Sequence, residues 1–298
     1  MKTILAKTFF WGTMLWLILL SAVAFASNEN ETLLYNKGLL WSVSKGEAKN
    51  FVFGTIHSDD PRVLAVLDHV YPTFDAAKNF TLEMDLNPIS GLMVAQAMLI
   101  DDGQTLSDLI GEDLYQKVLK IAVQHGLPKQ AVNLLKPWAV MTVISVPKQQ
   151  SDTFMDLILY EKAHQQNKKV VGLETPAEQI AVFDALELAD QITLLQNAVT
   201  EYNNLADMFD RLIELYQARD LQAMLKMSDE LAADSGERLA DTLTQRLVIS
   251  RNKIMVKRML PLLTAGETFV AVGALHLPGK HGILQTLARK GYSIKRVF

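Results

Sequence analysis

The sequence predicts an α/β fold, a central mixed sheet with long helical insertions that form a lid or second layer. Three observations predict it. Short, apolar, β-rich runs bounded by turn residues recur at residues 39–43, 51–56, 79–86, 169–173, 268–275 and 293–298. Helical periodicity fills the stretches between them. Two of those stretches, about 88–167 and 175–266, are too long to be simple connections and read as inserted helices. The chain has 298 residues, 49% hydrophobic and 21% charged, which is enough to bury a substantial core. No low-complexity linker marks a boundary, so residues 27–298 are read as a single domain carrying both insertions.

The elements come in this order. Residues 1–26 have the pattern of a signal peptide. Lys2 and Lys7 precede an apolar run over residues 9–20, and Ala24 and Ala26 stand at signal-peptidase spacing. Cleavage is expected after Ala26, which makes the mature protein periplasmic or secreted. If the segment stays uncleaved, it is the chain's only membrane contact. The first strand, 39–43, ends at Ser44, Lys45 and Gly46. The run 51–56 ends at His57, and the run 79–86 contains Glu83 and Asp85. The run 169–173 ends at Glu174, the run 268–275 ends at His276, and residues 293–298 form the last strand. Leu114, Val118, Ile121 and Ala122 share one helical face, and Leu157, Tyr160, Glu161 and His164 share one helix. Pro88, Pro128, Pro137 and Pro176 stand where helices can begin. A short last helix over 282–290 is capped by Gly291.

Composition narrows the chemistry. Removal of residues 1–26 takes away two lysines and no acid, so 29 basic residues become 27 against 33 acidic, a net charge of −6. There is no basic stripe for a nucleic acid. There is no cysteine, so any bound metal takes imidazole and carboxylate ligands. Four strand-like runs end in or contain such a group: His57, Glu83, Glu174 and His276. In open α/β sheets, ligands gather beyond the carboxyl ends of the strands, so these four can converge. The runs before His57 and His276 echo one another as apolar strands ending Gly-x-x-His, and each glycine permits close approach of another backbone. Glu83 lies inside an apolar run, where a carboxylate needs a cation, a proton or several donors. Asp85 shares its strand parity. Glu174 precedes Thr175 and Pro176, a helix start whose dipole also favours an acid. Arg251 and Asn252 lie on a helix among apolar residues, where an arginine can bind a carboxylate. His69, His125 and His164 read as partly exposed helical residues, and His281 lies just before the last helix.

These motifs resemble the TraB/GumN family: Phe53-Gly54-Thr55-Ile56-His57, Leu82-Glu83-Met84-Asp85-Leu86, Gly172-Leu173-Glu174-Thr175-Pro176-Ala177-Glu178-Gln179, Arg251-Asn252, and Val270 through Leu277. That family is related to the Tiki metalloproteases and, more distantly, to erythromycin-esterase-like and ChaN-like proteins. The resemblance runs from about residue 36 to 298. It implies an α/β core with a metal-dependent site at the paired Gly-x-x-His motifs, and Tiki members are membrane-tethered peptidases that use Mn or Co. By position, His57 and His276 match the motif histidines, Glu83 and Glu174 the acids, and Arg251 the helical arginine. Leu275 stands where many relatives have glycine.

The expected function is that of an exported metal-dependent hydrolase, peptidase-like, acting on a peptide or small-molecule substrate. His57, His276, Glu83 and Glu174 are the expected ligands of a divalent metal (Mn, Co or Zn). Glu83 or Glu174 would be the general base, whichever is less tightly bound, and Arg251 would stabilise negative charge. The alternative is a non-catalytic haem- or ligand-binding protein of the same fold, since ChaN-like relatives bind haem. A third reading makes the Met-containing helices an interaction surface, with Met224, Met227, Met255 and Met259 as its adaptable residues.

Overall fold

The computed structural model describes residues 35–148, 151 and 153–298; the expected leader over 1–26 lies outside the described residues. The strands are β1 (Leu40–Lys45), β2 (Ala48–Thr55), β3 (Asn79–Met84), β4 (Lys169–Glu174), β5 (Thr268–Gly273) and β6 (Ser293–Arg296). They form one sheet in the order β4-β3-β5-β2-β1-β6. The pairs β4–β3, β3–β5 and β5–β2 are parallel, whereas β1 is antiparallel to both β2 and β6. The fold is therefore α/β with a mixed sheet, as the strand runs and intervening helices predicted.

Burial explains the composition of the strands. Every residue of β5 is buried, and β3 is buried from Phe80 to Met84. A central parallel strand covered on both faces becomes a continuous apolar run. The edges are different: β4 begins with exposed Lys169, and β6 is mostly exposed and carries Lys295 and Arg296. Charged edges discourage pairing with another chain. Gly46, at φ +60°, opens the two-residue turn that pairs Lys45 with Ala48. Beneath the parallel strands, Phe74 lies 5.3 Å from Phe80 and 5.2 Å from Phe269, ring centre to ring centre, and Phe53 lies 6.2 Å from Phe269.

Several boundaries differ from expectation by one to three residues, β3 for example ending at Met84 rather than at 86. The run 268–275 is strand only to Gly273, and Ala274–His276 is a 3-10 turn. The Gly273 N–H donates to the Glu83 carboxylate at 2.7 Å, a side-chain acceptor at the point where the strand stops. The last strand ends at Arg296, although Val297 and Phe298 still donate to the Leu40 carbonyl.

The described chain forms two compact units. One holds the whole sheet and draws on residues up to 86, on 153–175 and on 211–298; the other draws on residues 87–152 and 176–210 and is helical. In the helical unit every residue of the helix Pro137–Ile144 is buried, and it packs on the helix Leu188–Glu201. Lys136 Nζ and Trp138 Nε1 both donate to Asp184 Oδ1 there, at 2.7 and 2.8 Å. Among the described residues no helix is long and apolar enough to cross a membrane.

Candidate functional site

Four adjacent parallel strands, β4, β3, β5 and β2, each deliver one of the sequence-predicted residues at or just beyond their carboxyl ends. Glu174 closes β4, Glu83 is the penultimate residue of β3, His276 follows β5 through the 3-10 turn, and His57 lies two residues past β2. The register brings Thr55 beside Gly273 and Met84 beside Glu174. The glycines have the role their lack of a side chain suggests. A Cβ on Gly54 would stand 3.0 Å from the Ala274 Cα and 2.8 Å from a Leu277 methyl, so the two Gly-x-x-His segments pack directly on each other.

Each imidazole has an oxygen behind its Nδ1, hydrogen-bonded at His276 and in close contact at His57. The Nδ2 of Asn252 donates to the carbonyls of His276 and His281, at 3.3 and 2.9 Å. Carbonyls only accept, so this fixes the amide and leaves Asn252 Oδ1 as the atom 2.6 Å from His276 Nδ1. His276 Nδ1 therefore carries the proton, and Nε2 keeps its lone pair. That Nε2 is buried and has no hydrogen-bond partner. His57 Nδ1 stands 2.7 Å from Asp156 Oδ2, though out of line for a hydrogen bond. The other Asp156 oxygen accepts from Thr55 Oγ1 at 2.9 Å. His57 Nε2 is likewise buried and unpartnered.

The acids divide between two tasks. Arg251 spans Glu174: its Nε reaches both oxygens at 3.0 and 3.1 Å, and its Nη2 reaches Oε2 at 2.7 Å. The same Nη2 donates to Glu83 Oε2 at 2.5 Å, and Arg251 Nη1 has no partner. Glu83 Oε1, besides accepting from Gly273, lies 3.5 Å from His276 Nε2. Burial opposes ionisation of Glu83, but Arg251, His276, the Gly273 N–H and His57 together outweigh it and hold the carboxyl at about 2. Burial lowers His276 to about 4, against the opposing pull of Glu83, so that imidazole is neutral at pH 7. Burial alone would lower Arg251, yet Glu83 and Glu174 raise it further above its ordinary value.

A divalent metal fits part of this arrangement. Two donor atoms bound to one tetrahedral ion at ordinary bond lengths stand roughly 3.3 Å apart. His276 Nε2 and Glu83 Oε1, at 3.5 Å, have nearly that separation, and the lone pair on Nε2 has no proton to offer the carboxylate. Glu83 and Glu174 are buried with Arg251, so two carboxylates share one guanidinium, and a cation would supply the missing positive charge. Among the described residues no three His, Asp or Glu side chains form a ready-made metal cage. The donor pair whose spacing suits an ion is His276 Nε2 and Glu83 Oε1, while Glu174 is engaged by Arg251.

Other predicted positions lie apart from this cluster. Asp85 accepts from the Tyr160 hydroxyl at 2.9 Å, which turns it to a different partner from that of Glu83. His69 stacks on Phe298, His125 meets Tyr202, and His164 packs on Tyr160. Asp156 is the residue that sequence reasoning missed. An acid in the first turn of a helix is commonplace, because the dipole favours it, so nothing marked this one out.

The sequence profile of the TraB/PrgY/gumN family matches residues 39–296. The chain is 22% identical to the "Metalloprotease TIKI homolog" of Amphimedon queenslandica, over 87% of this chain and 61% of that protein. It is 24% identical to "Metalloprotease TIKI2" of Danio rerio, over 86% of this chain and 60% of the relative. It is also 24% identical to "Uncharacterized protein YbaP" of Shigella flexneri, over 86% of this chain and 99% of the relative. The chain thus spans about three fifths of the Tiki relatives' length. No solved structure matches it.

Proposed function

Since this chain belongs to the TraB/PrgY/gumN family, we propose that it is an exported, metal-dependent hydrolase that cleaves peptides. The name metalloprotease carried by its Tiki relatives supports the reaction class. The observation that carries the reading is the pair of buried imidazoles whose Nε2 atoms lack hydrogen-bond partners while an oxygen stands 2.6–2.7 Å behind each Nδ1. Metal-binding histidines are oriented in this way by an acid or amide on the second ring nitrogen.

His57 Nε2, His276 Nε2 and Glu83 Oε1 would hold the ion, of which Mn, Co and Zn are the candidates. When bound, such an ion lowers the pKa of a water and polarises a scissile carbonyl. The chain's own groups do the remaining work. Glu83, held ionised, contributes negative charge at the ligand position. Glu174 anchors Arg251 by a bidentate pair, which fixes the guanidinium against two carboxylates and leaves Nη1 free to stabilise charge that develops on a substrate oxygen. This gives the two glutamates different roles, ligand for Glu83 and anchor for Glu174. Glu83, held well below the ordinary carboxylate range, is not poised near neutral pH as a general base.

The test is cleavage of a diverse peptide library by purified protein supplied with Mn, Co or Zn. His57→Ala is expected to abolish cleavage and to remove bound metal measured by mass spectrometry. Cleavage that survives the substitution overturns the mechanism. Export is tested by fractionation: mature protein beginning at Ser27 is expected outside the cytoplasm, and full-length protein in the cytoplasm rejects that part.

A further inference from the structure

We infer that Asp156 is a positioning residue for His57, holding the proton on Nδ1 so that Nε2 presents its lone pair to a metal. The inference rests on the metal reading above for its purpose, but not for its geometry. Asp156 occupies the second position of the helix Met155–Gln165, where a carboxylate ordinarily turns back to its own helix amides. Here it does not. One oxygen takes the Thr55 hydroxyl at 2.9 Å and the other stands 2.7 Å from His57 Nδ1, in ion-pair contact although out of line for a hydrogen bond, which a small turn of the ring would align. Both partners lie on the segment that runs out of β2, so the helix start is clamped to the strand end through this one carboxylate.

The same junction supports the ring from a second side. Phe154, two residues earlier, meets His57 edge to face with centroids 5.6 Å apart. Thr55 fixes the carboxylate, the carboxylate faces Nδ1, and the Phe154 ring limits rotation of the imidazole. Asp156, Thr55, His57 and Phe154 are all buried, so water cannot substitute freely for the missing partner. The opposite histidine has an uncharged holder, Asn252, for the same task. The two imidazoles are thus equal in orientation but unequal in charge, because only His57 is backed by a carboxylate. A carboxylate behind a ligating imidazole makes it a stronger donor than an amide does. His57 is accordingly the stronger-held ligand of the pair.

The experiment uses the full mature chain in three forms: wild type, Asp156→Asn and Asp156→Ala. Two-bond proton–nitrogen correlation spectra of the metal-free proteins read the tautomer of each histidine, and competition with a chelator reads Mn and Zn affinity. Wild type is expected to have His57 protonated on Nδ1. Asp156→Asn retains an oxygen for Nδ1, so the tautomer is kept while affinity falls about tenfold through the lost charge. Asp156→Ala is expected to give a mixture of His57 tautomers, leave the His276 signals unchanged, and lower affinity by about 10–100-fold. Unaltered His276 signals also show that the variant is folded. If Asp156→Ala unfolds the protein, Asp156→Asn and Thr55→Val, which removes only the Thr55 hydroxyl, carry the test through the same two readouts. A single Nδ1-protonated His57 in folded Asp156→Ala overturns the inference. If wild type binds no metal, the metal reading fails by itself, and the tautomer comparison still decides whether Asp156 positions His57.

Discussion

His276 and Glu83 differ from ordinary groups of their kind in the direction that makes acid destabilising. His276 is lowered to about 4, so above its unfolded value near 6.5 its neutral form costs nothing, and the contribution is lost as pH falls from 6.5 towards 4. Glu83 is lowered to about 2, so its contribution is present above its ordinary 4.5 and is lost between 4.5 and 2. Urea unfolding of metal-free protein should therefore show stability declining in two stages. His276→Gln is expected to flatten the first stage and Glu83→Gln the second, and unchanged curves would contradict the assignments. Arg251→Ala leaves Glu83 and Glu174 buried against each other and is expected to cost about 3–5 kcal/mol by the same measurement. At this scale the strand-end acids and imidazoles were legible, because a titratable side chain ending an apolar run is conspicuous. Asp156 was not, because its sequence position has an ordinary explanation. The difference between Glu83 and Glu174 was also hidden, since it depends on which face of the guanidinium each one meets.

The α-helix Glu237–Thr244 runs on into the helix that carries Arg251 and Asn252 through a wider turn. Gln245–Ser250 is a π-helical segment that leads directly into Arg251–Ala265, and Gln245 Nε2 donates to Ser250 Oγ five residues on. Such wide turns cluster at functional sites because the extra residue re-aims the side chains of the next turn. Deleting Val248 should restore α-helical spacing and turn the preceding and succeeding parts by about 100° relative to each other. The expected outcome is preserved helicity by circular dichroism, with a stability loss of about 3–5 kcal/mol from broken Arg251 pairs. A variant as stable as wild type would show that the wide turn does not set the arginine. Apolar periodicity passes through 245–250 without a Gly or Pro, so the sequence offered no sign of this segment. The turn at Ala274–His276 was hidden for a similar reason: Ala274 and Leu275 are buried and extend the apolar run beyond the true strand end. By contrast, Pro88, Pro137 and Pro176 did mark helix starts, since a fixed φ and a missing N–H suit the first turn.

At the scale of the molecule, the alternation of apolar runs with helical stretches was enough for the α/β class and for a mixed sheet. Strand order was not legible, because β5 lies between β2 and β3 although about 190 residues of chain separate it from β3. The Phe53, Phe74, Phe80 and Phe269 contacts join β2, β3 and β5 across that separation. Phe269→Ala is expected to destabilise the protein by about 3–5 kcal/mol in urea unfolding, and a loss below about 1 kcal/mol would argue against a shared core there. The order of the strands also has a temporal meaning. Positions 57, 83 and 174 emerge from the ribosome well before the guanidinium at 251 and the second imidazole at 276. Until those arrive, the early acids have no counter-charge and the central strand between their neighbours is missing. A half-made chain therefore cannot yet assemble the buried cluster, which waits on the last fifth of the sequence.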